Sequence, residues 1–197
     1  MSGYGPSFTR ATLWGAGFII LGWLLSASAA PARAQEQAVV PEKNPPGDIP
    51  DSQVFVTFKS ADGFELKVPE GWARTSRKNG VQFADKYNTI DLEIAAADAD
   101  RTVASVRSQQ AGALSKTGRA AKILDVKRVV LPAGPAVLII YESNSEPNPV
   151  TRKQLRLESN RYLIFHKGRL ATLDLAAPRG ADNVDQWQLI SRSFHWN

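Results

Sequence analysis

The chain has two histidines, His166 and His195, and no cysteine, which limits the chemistry that its side chains can perform. A zinc site needs several histidine, cysteine or carboxylate ligands at characteristic spacings, and neither histidine has such a neighbour in sequence. Thiolate catalysis, a disulfide and a lipid-modified cysteine after an export signal are excluded by composition. We therefore expect both histidines to be surface or packing residues, and we predict no metal site.

The serines do not show the pattern of a hydrolase. A serine nucleophile needs a strained turn and a histidine with an acid to serve it. The G-x-S-x-G pattern is absent, and Ser76, Ser108 and Ser115 have ordinary polar neighbours. Since catalytic residues can also come together from distant positions, an exported hydrolase is the alternative to the non-enzymatic protein that we predict. Glycine-rich phosphate loops are absent too, and no cofactor is expected.

Two carboxylates, Asp91 and Glu93, are two positions apart in a stretch of alternating polar and apolar residues. On a strand they would share one face and could bind a cation or perform acid–base chemistry. The same spacing occurs on any solvated strand face, so the pair by itself predicts no site.

The least ordinary polar feature is a basic stretch over positions 151–161. A hairpin with its turn at Ser159 and Asn160 would place Arg152 and Arg156 on one face, with Arg161 nearby in sequence. Arginine can hold a carboxylate or phosphate through two parallel hydrogen bonds, so these three arginines are the predicted binding residues for an anionic partner. The same pattern also fits a solvated sheet face whose charges prevent edge-to-edge aggregation.

The amino terminus has the order of a secretory signal peptide. Arg10 precedes an apolar run over positions 11–25, and small residues lead to the A-x-A triplet Ala32, Arg33 and Ala34. We predict a signal peptide over residues 1–34 and an exported, periplasmic or extracellular protein with no stable membrane span after cleavage. The alternative is an anchor that is retained, since a spanning helix needs about 20 apolar residues. The predicted partner is therefore an envelope protein or an anionic envelope component.

The charge balance argues against a nucleic-acid partner. The whole chain has 24 basic and 19 acidic side chains, for a formal net charge of +5. Without Arg10 and Arg33 the basic count falls to 22 and the net charge to +3. That excess is well below the signature of a nucleic-acid-binding domain.

Residues 35–52 contain prolines and charges but few large apolar side chains, so they predict a flexible proline-rich tether ahead of a single domain at 53–197. Alternating apolar residues predict strands at 54–59, 64–68, 81–84, 88–97, 123–131, 136–143, 151–158, 161–167 and 170–175. Short connections between most of them favour antiparallel pairing. The predicted fold class is α+β.

Two helices are expected to pack on this sheet. Helical spacing predicts the first over 101–115, with Asp98 and Asp100 at its start. The second begins after Asp182, its predicted N-cap. Its buried face should be formed by Val184, Trp187, Ile190 and Phe194.

Three segments resemble the PsbP-like family of extrinsic photosystem proteins and related bacterial envelope proteins. They are positions 63–72 (GFELKVPEGW), 80–85 (GVQFAD) and 171–178 (ATLDLAAP). The resemblance implies an α/β/α sandwich, in which helices flank a central antiparallel sheet, and a mostly non-catalytic role in binding or assembly. Because these motifs consist of turn glycines, a proline and core apolar residues, they support a shared fold more than a shared activity.

Overall fold

The structure is a computed structural model that describes residues 36–98, 101–116 and 119–197. The predicted signal peptide, Gln35 and Asp100 lie outside these residues. In the part of the chain that is described, no helix is both long and apolar enough to cross a bilayer.

Strands dominate the described residues. They are β1 (Phe55–Ser60), β2 (Phe64–Pro69), β3 (Ala73–Arg77), β4 (Gly80–Ala84), β5 (Thr89–Ala96), β6 (Lys122–Leu131), β7 (Gly134–Asn144), β8 (Arg156–His166), β9 (Arg169–Pro178) and β10 (His195–Trp196). The central helix comprises the α-helical segments Val103–Ser105 and Gly112–Lys116, joined by the π-helical segment Val106–Ala111. The C-terminal helix is Val184–Ser193.

The strands form two antiparallel sheets. The large sheet has the order β3-β4-β5-β9-β8-β7-β6, and the small sheet has the order β1-β2-β10. Most neighbours are joined by short hairpins, which is why antiparallel pairing was expected. The α+β class is confirmed.

Apolar residues alternate along the central strands and build a core on each face of the large sheet. In β7, Leu138 belongs to one buried cluster and Ile139 to the other. The first cluster includes Ile190 of the C-terminal helix and Leu66 of β2, and the second includes Val106 of the central helix. The first face of the large sheet is therefore covered by the small sheet as well as by the C-terminal helix. This differs from the layer of helices alone that the resemblance implied.

Both helices start at residues other than the predicted caps. The Thr102 hydroxyl accepts a 3.1 Å hydrogen bond from the Ser105 amide, and Ser105 caps Thr102 in return, so Thr102 rather than Asp98 begins the central helix. The C-terminal helix follows Asn183, not Asp182. Its first residue, Val184, is 72% exposed, so the prediction that Val184 is buried is wrong.

The predicted hairpin at Ser159 and Asn160 is also wrong, because β8 runs through both residues without a turn. Ser159 pairs with Tyr141 of β7, and Asn160 pairs with Ile140. Both residues pair with β9 on the other side as well. The backbone hydrogen bonds of β8 to β7 and to β9 outweigh the local preference of serine and asparagine for turns.

Residues 36–52, here called the N-terminal strap, contain no helix or strand but lie against the domain. The Ile49 amide donates a 2.7 Å hydrogen bond to Asn183 Oδ1, and the Ile49 side chain is buried. At the other end of the strap, Glu36 Oε1 accepts a 2.7 Å hydrogen bond from Asn144 Nδ2. Polar side chains of the domain therefore bind backbone and carboxylate groups of this stretch, and its flexibility stays a prediction.

Candidate functional site

The three arginines predicted to bind an anion do not share a surface. Arg152 lies in an exposed turn with a φ of 58°. Arg156 is buried, and Arg161 is partly buried on the opposite face of the same strand. Positions 156 and 161 are five apart in one continuous strand, where side chains alternate between faces.

Arg156 is held by a buried ion pair. Its Nη2 lies 3.3 Å from Glu142 Oε2, and its Nη1 donates to the backbone oxygen of Ala120 at 2.9 Å. Arg179 Nε lies 2.8 Å from the other oxygen of Glu142. The guanidinium of Arg156 is therefore engaged within the domain.

Arg161 is paired with Asp174. Its Nε donates to Asp174 Oδ2 at 2.8 Å, and the Tyr141 hydroxyl donates to the same oxygen at 2.7 Å. Burial, reinforced by the nearby carboxylate, raises the pKa of Tyr141 and keeps the hydroxyl protonated as a donor. Two members of the predicted site, Arg156 and Arg161, are therefore paired with acids of the domain, and the binding of an anionic partner by Arg152, Arg156 and Arg161 stays a prediction.

The two carboxylates of the predicted strand, Asp91 and Glu93, also have different surroundings. Asp91 forms an ion pair with Arg77 at 2.6 Å and accepts a hydrogen bond from Gln82 Nε2 at 3.2 Å, whereas Glu93 is exposed. Across the described ranges, no group of three histidine or acidic side chains is placed to hold a metal ion.

A groove of about 610 Å³ lies between the large sheet and the C-terminal helix. The sheet contributes residues from β6, β7 and β8, and the helix contributes its first two turns. The lining residues are Leu124, Lys127, Ile140, Glu158, Asn160, Tyr162, Asn183, Val184, Trp187 and Gln188. Its volume is within the usual range of small-molecule sites, about 300 to 1,000 Å³.

A β-bulge in β6 forms one wall of the groove. Ile123 pairs with Tyr141 and Asp125 pairs with Ile140, so Leu124 between them has no partner on β7. The extra residue shifts the alternation of β6, so Val126 packs in the central-helix core while Leu124 and Lys127 line the groove. Leu124 is 48% exposed there.

The apolar part of the groove is formed by residues that are also part of the core. Tyr162 and Trp187 are each 7% exposed, and Ile140 is partly buried beside them. On the helix side, Val184 also lines the groove and is exposed, as Leu124 is on the sheet side. The groove therefore offers an aromatic floor with an apolar rim on both sides.

Polar groups lie at defined positions in this apolar surface. Glu158 is partly buried, and burial is the main reason that its pKa is raised, although the Gly180 backbone amide and Arg179 favour its ionised form. The side-chain amides of Asn160 and Gln188 make no hydrogen bond to other described residues. These three groups are available to a bound molecule.

Solved structures show which fold this is. The structure of cyanobacterial PsbP from Synechocystis superposes with a TM-score of 0.54 at 17% sequence identity, covering 77% of this chain and 98% of that one. The chain has the PsbP fold. LpqN of Mycobacterium tuberculosis, described as involved in cell envelope biogenesis, gives a TM-score of 0.45 at 18% identity, covering 74% and 91%. No protein-family model and no curated protein matches the sequence.

The histidines of this PsbP-fold domain lie away from the groove. His166 stacks on Trp196 with ring centroids 6.0 Å apart, and His195 Nδ1 lies 2.6 Å from the Ser193 backbone oxygen. Both contacts agree with the expectation of packing or surface residues. The groove itself is lined by apolar, amide and charged side chains.

Sequence reasoning missed the groove because three distant parts of the PsbP fold build it. Leu124, Glu158 and Trp187 are far apart in the chain and meet only through strand pairing and helix packing. The available signal was weak. Leu124 and Val184 are apolar residues that remain exposed, and sequence alone assigns such residues to the core.

Proposed function

We propose that this chain is an exported, non-enzymatic binding or assembly protein of the cell envelope, with a PsbP-fold domain that holds its ligand or partner in the groove. One observation carries the proposal. Exposed Leu124 and Val184 flank an aromatic floor in which Glu158, Asn160 and Gln188 offer polar groups to a bound molecule. An apolar surface with a few placed polar groups is the usual composition of a binding site.

A hydrolase is less well supported by the geometry. Ser193, His195, Glu65 and Asp185 line a separate shallow groove beside β2. The Ser193 hydroxyl donates to the Ile190 backbone oxygen at 2.6 Å and accepts from the Lys67 amide at 2.8 Å. His195 approaches the backbone oxygen of Ser193 rather than its hydroxyl, so the arrangement of a nucleophile and its base is not formed.

The binding role is tested by placing a charge on the groove rim. Leu124→Asp should abolish specific co-purification of envelope components with the tagged protein, because the aspartate would require desolvation on binding. Val130→Asp is the matched control. Val130 lies on the same strand, is 77% exposed and does not line the groove. If both variants recover the same components as wild type, the groove is not the binding site.

The proposed export to the cell envelope rests on the signal-peptide pattern and is tested separately. Mass spectrometry of the exported protein should find a mature amino terminus at Gln35. An intact terminus in the membrane fraction would indicate a retained anchor instead.

A further inference from the structure

We propose that the groove binds a short, extended apolar peptide of three or four residues, with its free ammonium group at Glu158 and its free carboxylate at Lys127. This inference rests on the proposed binding function and names its ligand. It follows from the register of three neighbouring strands, from the unpaired amides and from the aromatic floor.

The two charged side chains lie at opposite ends of the groove. Lys127 is in register with Leu138 of β7, which is in register with Tyr162 of β8. Glu158 precedes Tyr162 by four residues, so the two ends are about 13 Å apart along the strands and about 10 Å across them. These separations give a diagonal of about 16 Å between the two backbones. An extended peptide of three or four residues covers about 10 to 14 Å of it at about 3.4 Å each, and a charge-assisted hydrogen bond of about 2.8 Å at each end covers the rest.

The residues between the two ends match the chemistry of a peptide. Asn160 and Gln188 carry amide groups that can donate to a peptide carbonyl and accept from a peptide N–H. Ile140, Tyr162 and Trp187 offer apolar surface for the side chains of the ligand. An aliphatic chain without polar groups would bury these amides unpaired, which is unfavourable.

Both charged groups can accept the proposed ligand. Glu158 is partly buried, and burial raises its pKa, so an ammonium group beside it would stabilise the ionised form. Lys127 Nζ lies 3.3 Å from Asp125, but both side chains are about half exposed. Such exposed pairs contribute little, so the lysine can change partner at small cost.

Isothermal titration calorimetry on the purified protein tests the proposal with the probe tetrapeptide Ala-Val-Leu-Ala. The free peptide should bind, and its N-acetyl and C-amide forms should each bind about tenfold more weakly, because each loses a charge-assisted hydrogen bond. Glu158→Gln should weaken the free peptide but not the N-acetyl form. Lys127→Gln should weaken binding of the free peptide but not of the C-amide form.

Lys122→Gln is the matched control, since Lys122 is an exposed lysine of β6 that does not line the groove. Equal affinity for the free and doubly blocked peptides, or no binding of either by wild type, would overturn the proposal. The blocked-peptide comparison uses wild-type protein, so a misfolded variant cannot obscure it. If peptides fail while Leu124→Asp still loses envelope components that Val130→Asp retains, the binding function stands and only the ligand is wrong.

Discussion

The guanidinium of Arg156 and the carboxylate of Glu142 form an ion pair inside the domain, on neighbouring strands β8 and β7. Their side chains are only 3% and 8% exposed. Arg179 approaches the same carboxylate from the segment after β9, so two cations neutralise one buried acid. A basic residue that the sequence assigns to recognition is therefore paired with an acid inside the domain.

Replacing Arg156 by Gln should lower the free energy of unfolding by about 3 kcal/mol, because it leaves Glu142 buried with one cation fewer. Arg179 still contacts Glu142 in this variant. The loss of stability should therefore be near the lower end of the range of about 3 to 5 kcal/mol for removing one partner of a buried ion pair. Urea denaturation measures the effect. Arg152→Gln, in an exposed turn, is the control and should change stability by less than about 0.5 kcal/mol. Similar small effects for both would show that Arg156 is not buried in solution.

Trp187→Ala should destabilise the domain by about 3 to 5 kcal/mol, as expected when a buried large aromatic side chain is removed. Val184→Ala, on the exposed start of the same helix, should cost less than about 0.5 kcal/mol. Chemical denaturation of both variants checks the orientation of the C-terminal helix. A larger loss for Val184 than for Trp187 would contradict the helix orientation described above.

Asn183→Ala should release the N-terminal strap. The Asn183 side chain accepts from the Ile49 amide at 2.7 Å and donates to the Gly47 oxygen at 3.0 Å. Losing these bonds leaves buried polar groups unpaired and should cost about 1 to 3 kcal/mol. Limited proteolysis should then cut within 36–52 faster than in wild type. Asp182→Ala, which removes only an exposed side chain, should leave the cleavage rate unchanged.

Stability should depend on pH through Glu158. Because its pKa is raised by burial, the folded protein binds this proton more tightly than the unfolded chain does. Its contribution to stability is therefore present below about pH 4.3, where an unfolded glutamate ionises, and is lost as pH rises through the folded pKa. Glu158→Gln stays neutral, so its stability relative to wild type should increase between about pH 4 and about pH 7.5. Denaturant melts at the two pH values measure this change, with the exposed Glu93→Gln as control.

Local alternation predicted most of the large sheet because most of its strands bury at least one face. Ile90 and Leu92 alternate with polar neighbours, and β5 lies where that alternation placed it. The PsbP resemblance, drawn from three short segments, is confirmed at the level of fold. Turn glycines, strand-ending prolines and core residues constrain the backbone, which is why these features carry information about the fold.

The candidate site could not be predicted in the same way, because its geometry depends on pairing between distant residues. The partner of Arg156 is 14 positions earlier in the chain, and that of Arg161 is 13 positions later. Nothing local distinguishes a buried arginine from a solvated one until the acid opposite it is known. The false turn at Ser159 and Asn160 then placed Arg156 and Arg161 in separate strands of a hairpin.

The bulge at Leu124 gives β6 a position at which the strand can lose a residue. Deleting Leu124 would place Ile123 and Val126 two positions apart, so β6 could pair regularly with β7 while both side chains stay on the central-helix face. Deleting a residue elsewhere in β6 would instead shift the register and move the side chains on one side of the deletion to the opposite face. Deletion of Leu124 should therefore be tolerated better than deletion of Val126.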